Sequence, residues 1–278
     1  MCRALKAPEG PPWELPLEEA PLAFIDLEMT GLDASKDRVV EVCIERVKGN
    51  VIEDRLHTLV RPDGGEIGNV HVHGIDEAAL ASAPTFAEIA PAVEKILAGA
   101  VPIAHGAAWD VAFIDAEMKR AGRTAFVLPY WIDTLHITRR TFALPKHSLD
   151  ALAAHFGIDR SRAHRADADV TALREVWNRC IAALEPKSPR DVWEVRIAEG
   201  KAREQILAEC TQAVEHGRPV IVVYRPRAKG PQDITMVIQQ VDTTQEPPRI
   251  VGYMLPGRGR RDLRADRVLR IDDVRPMR

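Results

Sequence analysis

The chain has 278 residues, 46% of them apolar, enough to bury a real core as one large domain or a medium domain with a small one. Its 38 Lys and Arg nearly balance 41 Asp and Glu, and no window approaches the roughly 18 consecutive apolar residues of a membrane span. Four scattered cysteines (Cys2, Cys43, Cys180, Cys210) form no CxxC pair, which argues against a disulfide framework and a cysteine zinc site. The proline-rich residues 1–20 hold no apolar signal core and read as a loose leader, so the expected address is cytoplasmic. The near-neutral total hides a split: residues 1–186 carry 20 Lys and Arg against 28 Asp and Glu, whereas residues 187–278 carry 18 against 13. Either two functional pieces or two differently charged surfaces fit that pattern.

Residues 22–28 are a short apolar run between Pro21 and Gly31, the pattern of a buried strand. Val39–Lys48 and Val51–Arg61 are β-rich and joined by Gly49-Asn50, a hairpin-turn signal. Pro62–Gly74 is polar and glycine-rich, hence a loop. Helical patterns follow at 76–82 and at 85–98, the latter with Pro84 and Thr85 at its start. Val101–Ala104 reads as a brief strand, and 108–121 as a helix stopped by Gly122. Residues 133–142, 148–156 and 167–184 also have helical spacing. Three strands, then helices alternating with short strands, predict an α/β fold in which helices cover a mixed sheet. The segment 185–191, with two prolines, reads as a domain boundary. Beyond it Val195, Ala198, Ala202, Ile206, Cys210 and Ala213 mark one amphipathic helix, and 219–224, 234–241, 249–255 and 267–271 read as short strands. The expected organisation is a leader (1–20), a first domain (21–185) and a small helix-plus-β domain (190–278).

Asp26 and Glu28 stand two apart in the first predicted strand, so both carboxylates point to one side of the sheet. Two acids in an apolar strand are costly to desolvate, and a bound cation is the natural compensation. Asp110 falls near the start of a helix, and Asp169 lies five residues after His164 in HRADAD. Oxygen ligands of this kind suit Mg²⁺ or Mn²⁺ rather than zinc, and a histidine just outside a helix start suits a general base. Taken singly, Asp110, Asp167 and Asp169 are ordinary helix-start acids, and His164 is an ordinary loop histidine. Asp26 and Glu28 have no such ordinary role. His71 and His73 have the spacing of a metal pair, but no further ligands cluster near them.

The segments FIDLEMTGLD (24–33), HGAAWDVAFI (105–114) and HRADAD (164–169) resemble the three motifs of the DEDDh-type 3′→5′ exonucleases, most fully those of the proofreading epsilon-subunit (DnaQ-like) type. LVRPDGG (59–65), VHGIDEAAL (72–80), APTFAEIAPAV (83–93) and HSLDALAAHFGID (147–159) are similar to that group's connecting pieces, so the resemblance covers about 22–184. The first motif also looks like oligoribonuclease and does not separate DNA from RNA. The resemblance implies an RNase H-like fold and a phosphodiesterase working with two Mg²⁺ (or Mn²⁺) on nucleic acid, single-stranded 3′ ends foremost. It implies that Asp26, Glu28, Asp110 and Asp169 hold the metals and that His164 takes the proton of the attacking water. Met29, Thr30, Val72, His73, His105 and Trp109 would then line the 3′-terminal nucleotide pocket, Trp109 as a stacking face or as a core aromatic beside the site. Two positions depart from the family pattern: Gly106 stands where Asn is usual, and Trp109 where Phe is usual.

Residues 201–273 resemble, more faintly, a WYL domain, a small SH3-like β-unit, with Val251-Gly252-Tyr253 near where the naming tripeptide would fall. That resemblance and the arginine-rich run point to phosphate contacts by Arg258, Arg260, Arg261 and Arg264, or to arginines paired with nearby aspartates. The expected function is a metal-dependent 3′→5′ exonuclease, DNA favoured, releasing nucleoside 5′-monophosphates. The alternatives are an exoribonuclease trimming RNA and a nucleic-acid-sensing regulator that uses the nuclease fold for binding.

Overall fold

The computed structural model describes residues 7–64, 67–142, 144–226, 232–245 and 247–274, with the side chains of 196–203 outside that description. The chain opens with β1 (Pro21–Met29), β2 (Val39–Lys48) and β3 (Val51–Leu59), then α1 (Val70–His73), α2 (Glu77–Leu80) and α3 (Phe86–Leu97). There follow β4 (Val101–Ala104), α4 (Ala108–Arg120), β5 (Ile132–Asp133), α5 (Thr134–Thr141), α6 (Leu149–Phe156), α7 (Ala166–Leu184) and α8 (Pro189–His216). Last come β6 (Pro219–Tyr224), β7 (Gln232–Asp242), β8 (Arg249–Met254), β9 (Arg260–Arg264) and β10 (Val268–Asp273). The chain divides into two compact units, Met1–Val195 and Arg196–Arg278. No helix among the described residues is long and apolar enough to cross a membrane.

The first unit is built on a five-stranded mixed sheet in the order β3-β2-β1-β4-β5, with β2 antiparallel and β4 parallel to the central β1. Alternation along β1 explains its two faces. Ala23, Ile25 and Leu27 enter a core with Phe86, Val93, Phe113 and Ile114 from α3 and α4. Phe24 points the other way and meets Trp177 of α7 edge-on at 6.0 Å. Thr85 and Glu88 close a capping box at the start of α3, as Pro84-Thr85 led one to expect. This is the mixed sheet covered by helices expected from the sequence.

The N-terminal leader differs from expectation over its described part. Trp13 is buried, its carbonyl accepts from the amide of Arg190, and Leu17 N–H donates to the carbonyl of Lys187. Tyr130 joins Trp13 to Trp193 through two edge-on contacts at 6.0 Å. Bulky aromatics, which the proline count obscured, tie the segment down. The expected boundary at 185–191 also moves, because Pro189 starts α8 instead of breaking the chain. Ser188 Oγ accepts from Asp191 N–H, while the Asp191 carboxylate accepts from the amides of Lys187 and Ser188. The division into units therefore falls inside α8, after Val195.

The second unit is an antiparallel five-stranded sheet in the order β10-β6-β7-β8-β9. Val220, Val222, Met236 and Ile250 form its core with Cys210 and Ala213 of α8, and Ile206 packs at the edge. The expected amphipathic face is thus present from 206 to 213; Ala198 and Ala202 lie among the side chains not described. β9 (RRDLR) is an additional strand, hidden in the sequence by its charges.

Candidate active site

Asp26 and Glu28 lie on the face of β1 turned toward α7, where their cross-strand partners on β2 are Cys43 and Glu41. The strand pairing shifts register between Glu28 and Met29, so the regular ladder ends at the site. Asp110 sits in the first turn of α4, directly after β4, and is buried. Asp169 sits in the first turn of α7 and is also buried. The structure therefore gathers the four expected acids from β1, α4 and α7.

Their electrostatics record the crowding. Burial, then the charges of Asp110, Asp169 and Glu28, hold the Asp26 carboxyl well above its usual range. Glu28 is pushed up to about 7 by burial and then by Asp169 and Glu41. Asp110 rises to about 8, chiefly through burial, with hydrogen bonds from its own amide and from Leu27 opposing and Asp133 adding to the rise. Asp169 is raised by burial, against the pull of Arg160 and His164. Four mutually repelling carboxylates, raised in spite of Arg160 and Arg165 nearby, fit a divalent cation, and an all-oxygen set fits a hard one.

His164 stands at the same edge. One ring nitrogen lies within 4.8 Å of carboxylate oxygens of both Glu28 and Asp169. The residue is exposed and holds φ at 63°, a left-handed conformation uncommon for a side-chain-bearing residue and concentrated at functional sites. A second acid–histidine group, Glu41, His57 and Asp167, is equally close, but its charges are already paired. Glu41 receives Nε and Nη2 of Arg165 at 3.0 and 2.8 Å, and Asp167 receives both terminal nitrogens of Arg162.

Glu41 does more than pair. Its Oε2 accepts the first amide of α7, Ala166 N–H, at 3.2 Å, and its Oε1 meets His57 Nε2 at 2.9 Å. Arg165 precedes the helix and provides no side-chain cap. A carboxylate from β2 thus caps the turn that presents Asp169. Burial alone would raise Glu41, but Arg165, His57 and Ala166 hold it below the usual carboxylate range. An acid in the apolar run VVEVCI was the available sequence signal, of the same kind as Asp26 and Glu28. Arg160, in the turn after α6, was also missed; it hydrogen-bonds Asp169 through Nη1 at 2.5 Å.

The six expected pocket residues separate into two kinds. Trp109 and Val72 are 51% and 43% exposed and present apolar surface to solvent. Trp109 is therefore not a core aromatic. Met29 ends β1 and Thr30 follows it, and Gly68 approaches so closely that a Cβ there would lie 2.1 Å from the Thr30 carbonyl oxygen. His73 is buried, with Nε2 bonded to Gly68 O and Nδ1 accepting from Ile75 N–H. His105 spends Nδ1 on Thr134 and Nε2 on the His147 carbonyl. Both histidines are held below the usual imidazole range, chiefly by burial. With both ring nitrogens committed, His73 and His105 brace the surrounding backbone, so any part they take in the expected pocket is as lining and not through a free ring nitrogen. Gly106 takes φ 81°, a region open to Gly and tolerated by Asn, which accounts for the exchange at this position.

Comparison with known proteins bears on the same region. A family model described as exonuclease matches residues 23–177 and stops short of residues 201–273, the stretch that resembles a WYL domain. A DNA polymerase III subunit epsilon from Aquifex aeolicus is 30% identical over 170 residues, covering 60% of this chain and 84% of that protein. A PolC-type DNA polymerase III from Caldanaerobacter subterraneus subsp. tengcongensis is 31% identical over 179 residues, covering 64% of this chain but 13% of that much longer protein. Among solved structures, E. coli exonuclease I in complex with a dT13 oligonucleotide has a TM-score of 0.55 at 14% identity, covering 93% of this chain and 67% of that one, a likeness of fold.

Proposed function

This chain belongs to the exonuclease family, and from that premise we propose that it hydrolyses phosphodiester bonds at nucleic-acid 3′ ends and releases nucleoside 5′-monophosphates. The observation that carries the reading is the convergence of Asp26, Glu28, Asp110 and Asp169 beside His164 at one end of β1. Relatives named as DNA polymerase III subunits favour DNA over RNA as substrate.

The four acids would hold two Mg²⁺ or Mn²⁺ ions. Those ions would supply positive charge for the attacking water, the scissile phosphate and the departing 3′-oxygen. His164, exposed and adjacent to Glu28 and Asp169, takes the proton of the attacking water on a ring nitrogen. Glu41 fixes the turn that carries Asp169, so the ligand need not be ordered during the reaction. Trp109, Val72 and Met29 offer apolar surface to the terminal base and sugar, while His73 and His105 keep the surrounding loops in place.

In the second unit, the β8–β9 turn carries the phosphate-binding role. Arg264 is paired with Asp266 at 2.8 Å and Arg249 with Asp262 at 2.8 Å. Among the described residues Arg258 and Arg260 have no ion pair, and the Arg261 side chain donates to the Arg260 carbonyl and the Met254 sulfur without an acid partner. No acid occurs from 250 to 261. Replacing all three with Ser should flatten the salt dependence of single-strand binding by about 2 in log–log slope, at about 0.7 per lost phosphate contact. An unchanged slope would return these arginines to a solvated surface.

The direct test uses 5′-labelled single-stranded DNA, duplex DNA and RNA of one sequence with Mg²⁺, alongside a copy blocked by a 3′-phosphate. Stepwise shortening of the unblocked DNA is expected, fastest on single strands. Internal cutting, or faster loss of RNA, would overturn the assignment of reaction or substrate respectively.

A further inference from the structure

Arg160 lies in the turn between α6 and α7, a segment fixed by Asp159, whose carboxylate accepts from the amide and hydroxyl of Ser161. Its guanidinium reaches two acids at once. Nη1 and Nη2 donate to the two oxygens of Asp169 at 2.5 and 3.3 Å, while Nε and Nη2 donate to Asp150 Oδ1 at 3.0 and 2.8 Å. The two acids differ in setting: the Asp169 side chain is 9% exposed and that of Asp150, in the first turn of α6, is 57% exposed. Among the described residues, no other cationic side chain is hydrogen-bonded to the four acids of the site.

Both oxygens of Asp169 are thus engaged by one planar cation. A carboxylate held in that fork cannot offer the same lone pairs to a divalent ion at full strength. Nη2 is shared between the two acids, but Nε bonds Asp150 alone and Nη2 lies nearer Asp150 than Asp169, so the guanidinium can give up Asp169 without losing its anchor. From these contacts we infer that Arg160 is a built-in competitor for the metal site, holding Asp169 in the metal-free protein and retiring onto Asp150 when a divalent ion binds. The inference rests on the metal-binding reading proposed above and adds to it a residue that sets metal affinity. Arg160 neutralises Asp169 when metal is scarce, so the first turn of α7 need not bear an uncompensated buried charge. It also sets a threshold, since the ion must displace a charge-assisted hydrogen bond before Asp169 can ligate it.

The test is Mn²⁺ titration of the full chain by calorimetry, with thermal unfolding recorded in EDTA and in Mn²⁺. Arg160→Gln should bind Mn²⁺ about tenfold more tightly than the wild type, the fold-change equivalent of one charge-assisted hydrogen bond. It should also show a larger rise in unfolding temperature on adding Mn²⁺. Arg160→Lys keeps the charge but cannot bridge both acids in the same fork, and should likewise bind more tightly than the wild type. Tightening in both variants supports direct competition. Wild-type affinity in Arg160→Lys would overturn it, leaving Arg160 as a distant charge, and weaker binding in Arg160→Gln would overturn it in favour of a supporting strut. Absence of Mn²⁺ binding to the wild-type protein would overturn the metal reading itself, and this inference with it.

Discussion

Replacing Glu41 by Gln removes the charge that joins β2 to the first turn of α7. The wild-type carboxylate is fully buried and serves four donors: Nε and Nη2 of Arg165, Ala166 N–H, and His57 Nε2. A glutamine keeps one acceptor oxygen and turns an NH₂ group toward the donors, so charge-assisted bonds are lost and a donor clash appears. Breaking a fully buried ion pair costs about 3–5 kcal/mol. Here Arg165 and His57 are 35% and 29% exposed and can recover water, which lowers the expected cost to about 2 kcal/mol. For a unit of this size that is a fall of about 4–8 °C in unfolding temperature. Because the lost cap adjoins Asp169, metal affinity and kcat should fall as well, with KM less affected. Glu45→Gln is the control, since Glu45 bonds Arg174 at 2.8 Å further along the same helix. It should cost comparable stability and leave metal affinity unchanged. The assay is thermal unfolding in EDTA beside Mn²⁺ titration of both variants. Unchanged stability in Glu41→Gln, or equal loss of metal affinity in the two, would refute the capping role.

Two further outcomes follow from the same geometry. Asp26, Glu28 and Asp110 are raised in the metal-free native state, the last two to about 7 and about 8. The native chain therefore binds more protons than the unfolded one from the ordinary carboxylate range up to these values, and in EDTA stability should fall as pH rises from about 5 to about 8. Mn²⁺ should abolish that fall and release protons on binding; denaturation midpoints at the two pH values that rise, or stay level in EDTA, would contradict this. At Gly68 an added Cβ would lie 2.1 Å from Thr30 O, whereas at Gly106 it would meet nothing within 4 Å. Gly68→Ala should therefore cost about 1–3 kcal/mol, and Gly106→Asn less than about 1 kcal/mol, both read by urea unfolding.

The sheet and the acidic site were legible because both rest on short-range rules. Period-two alternation put Asp26 and Glu28 on one face, and the paired strands β2 and β3 followed from the Gly49-Asn50 turn. What escaped depends on contacts between distant segments. The two-residue β5 pairs Ile132 and Asp133 with Ile103 and Ala104, and carries no pattern of its own. The turn α1, inside an expected loop, is set by the close approach of Gly68 to Thr30. Trp13 is buried through contact with a segment more than 170 residues away, which no local window records. Likewise, spacing alone could not reveal that His73 and His105 turn inward while Trp109 faces out. Arg160 and Glu41 are ordinary charged residues until the fold places each beside α7.

Four carboxylates hold the ions that make 3′-end hydrolysis possible, and Asp26 is the one raised by the charges of the other three. The most direct measurement is the rate of nucleoside 5′-monophosphate release from single-stranded DNA with Mg²⁺, for the wild type and for Asp26→Asn, with folding checked by unfolding temperature. No release is expected in EDTA, and a loss of about a thousandfold or more in Asp26→Asn, equivalent to about 4 kcal/mol of transition-state stabilisation. A folded Asp26→Asn protein within tenfold of the wild type, or monophosphate release that persists in EDTA, would contradict this.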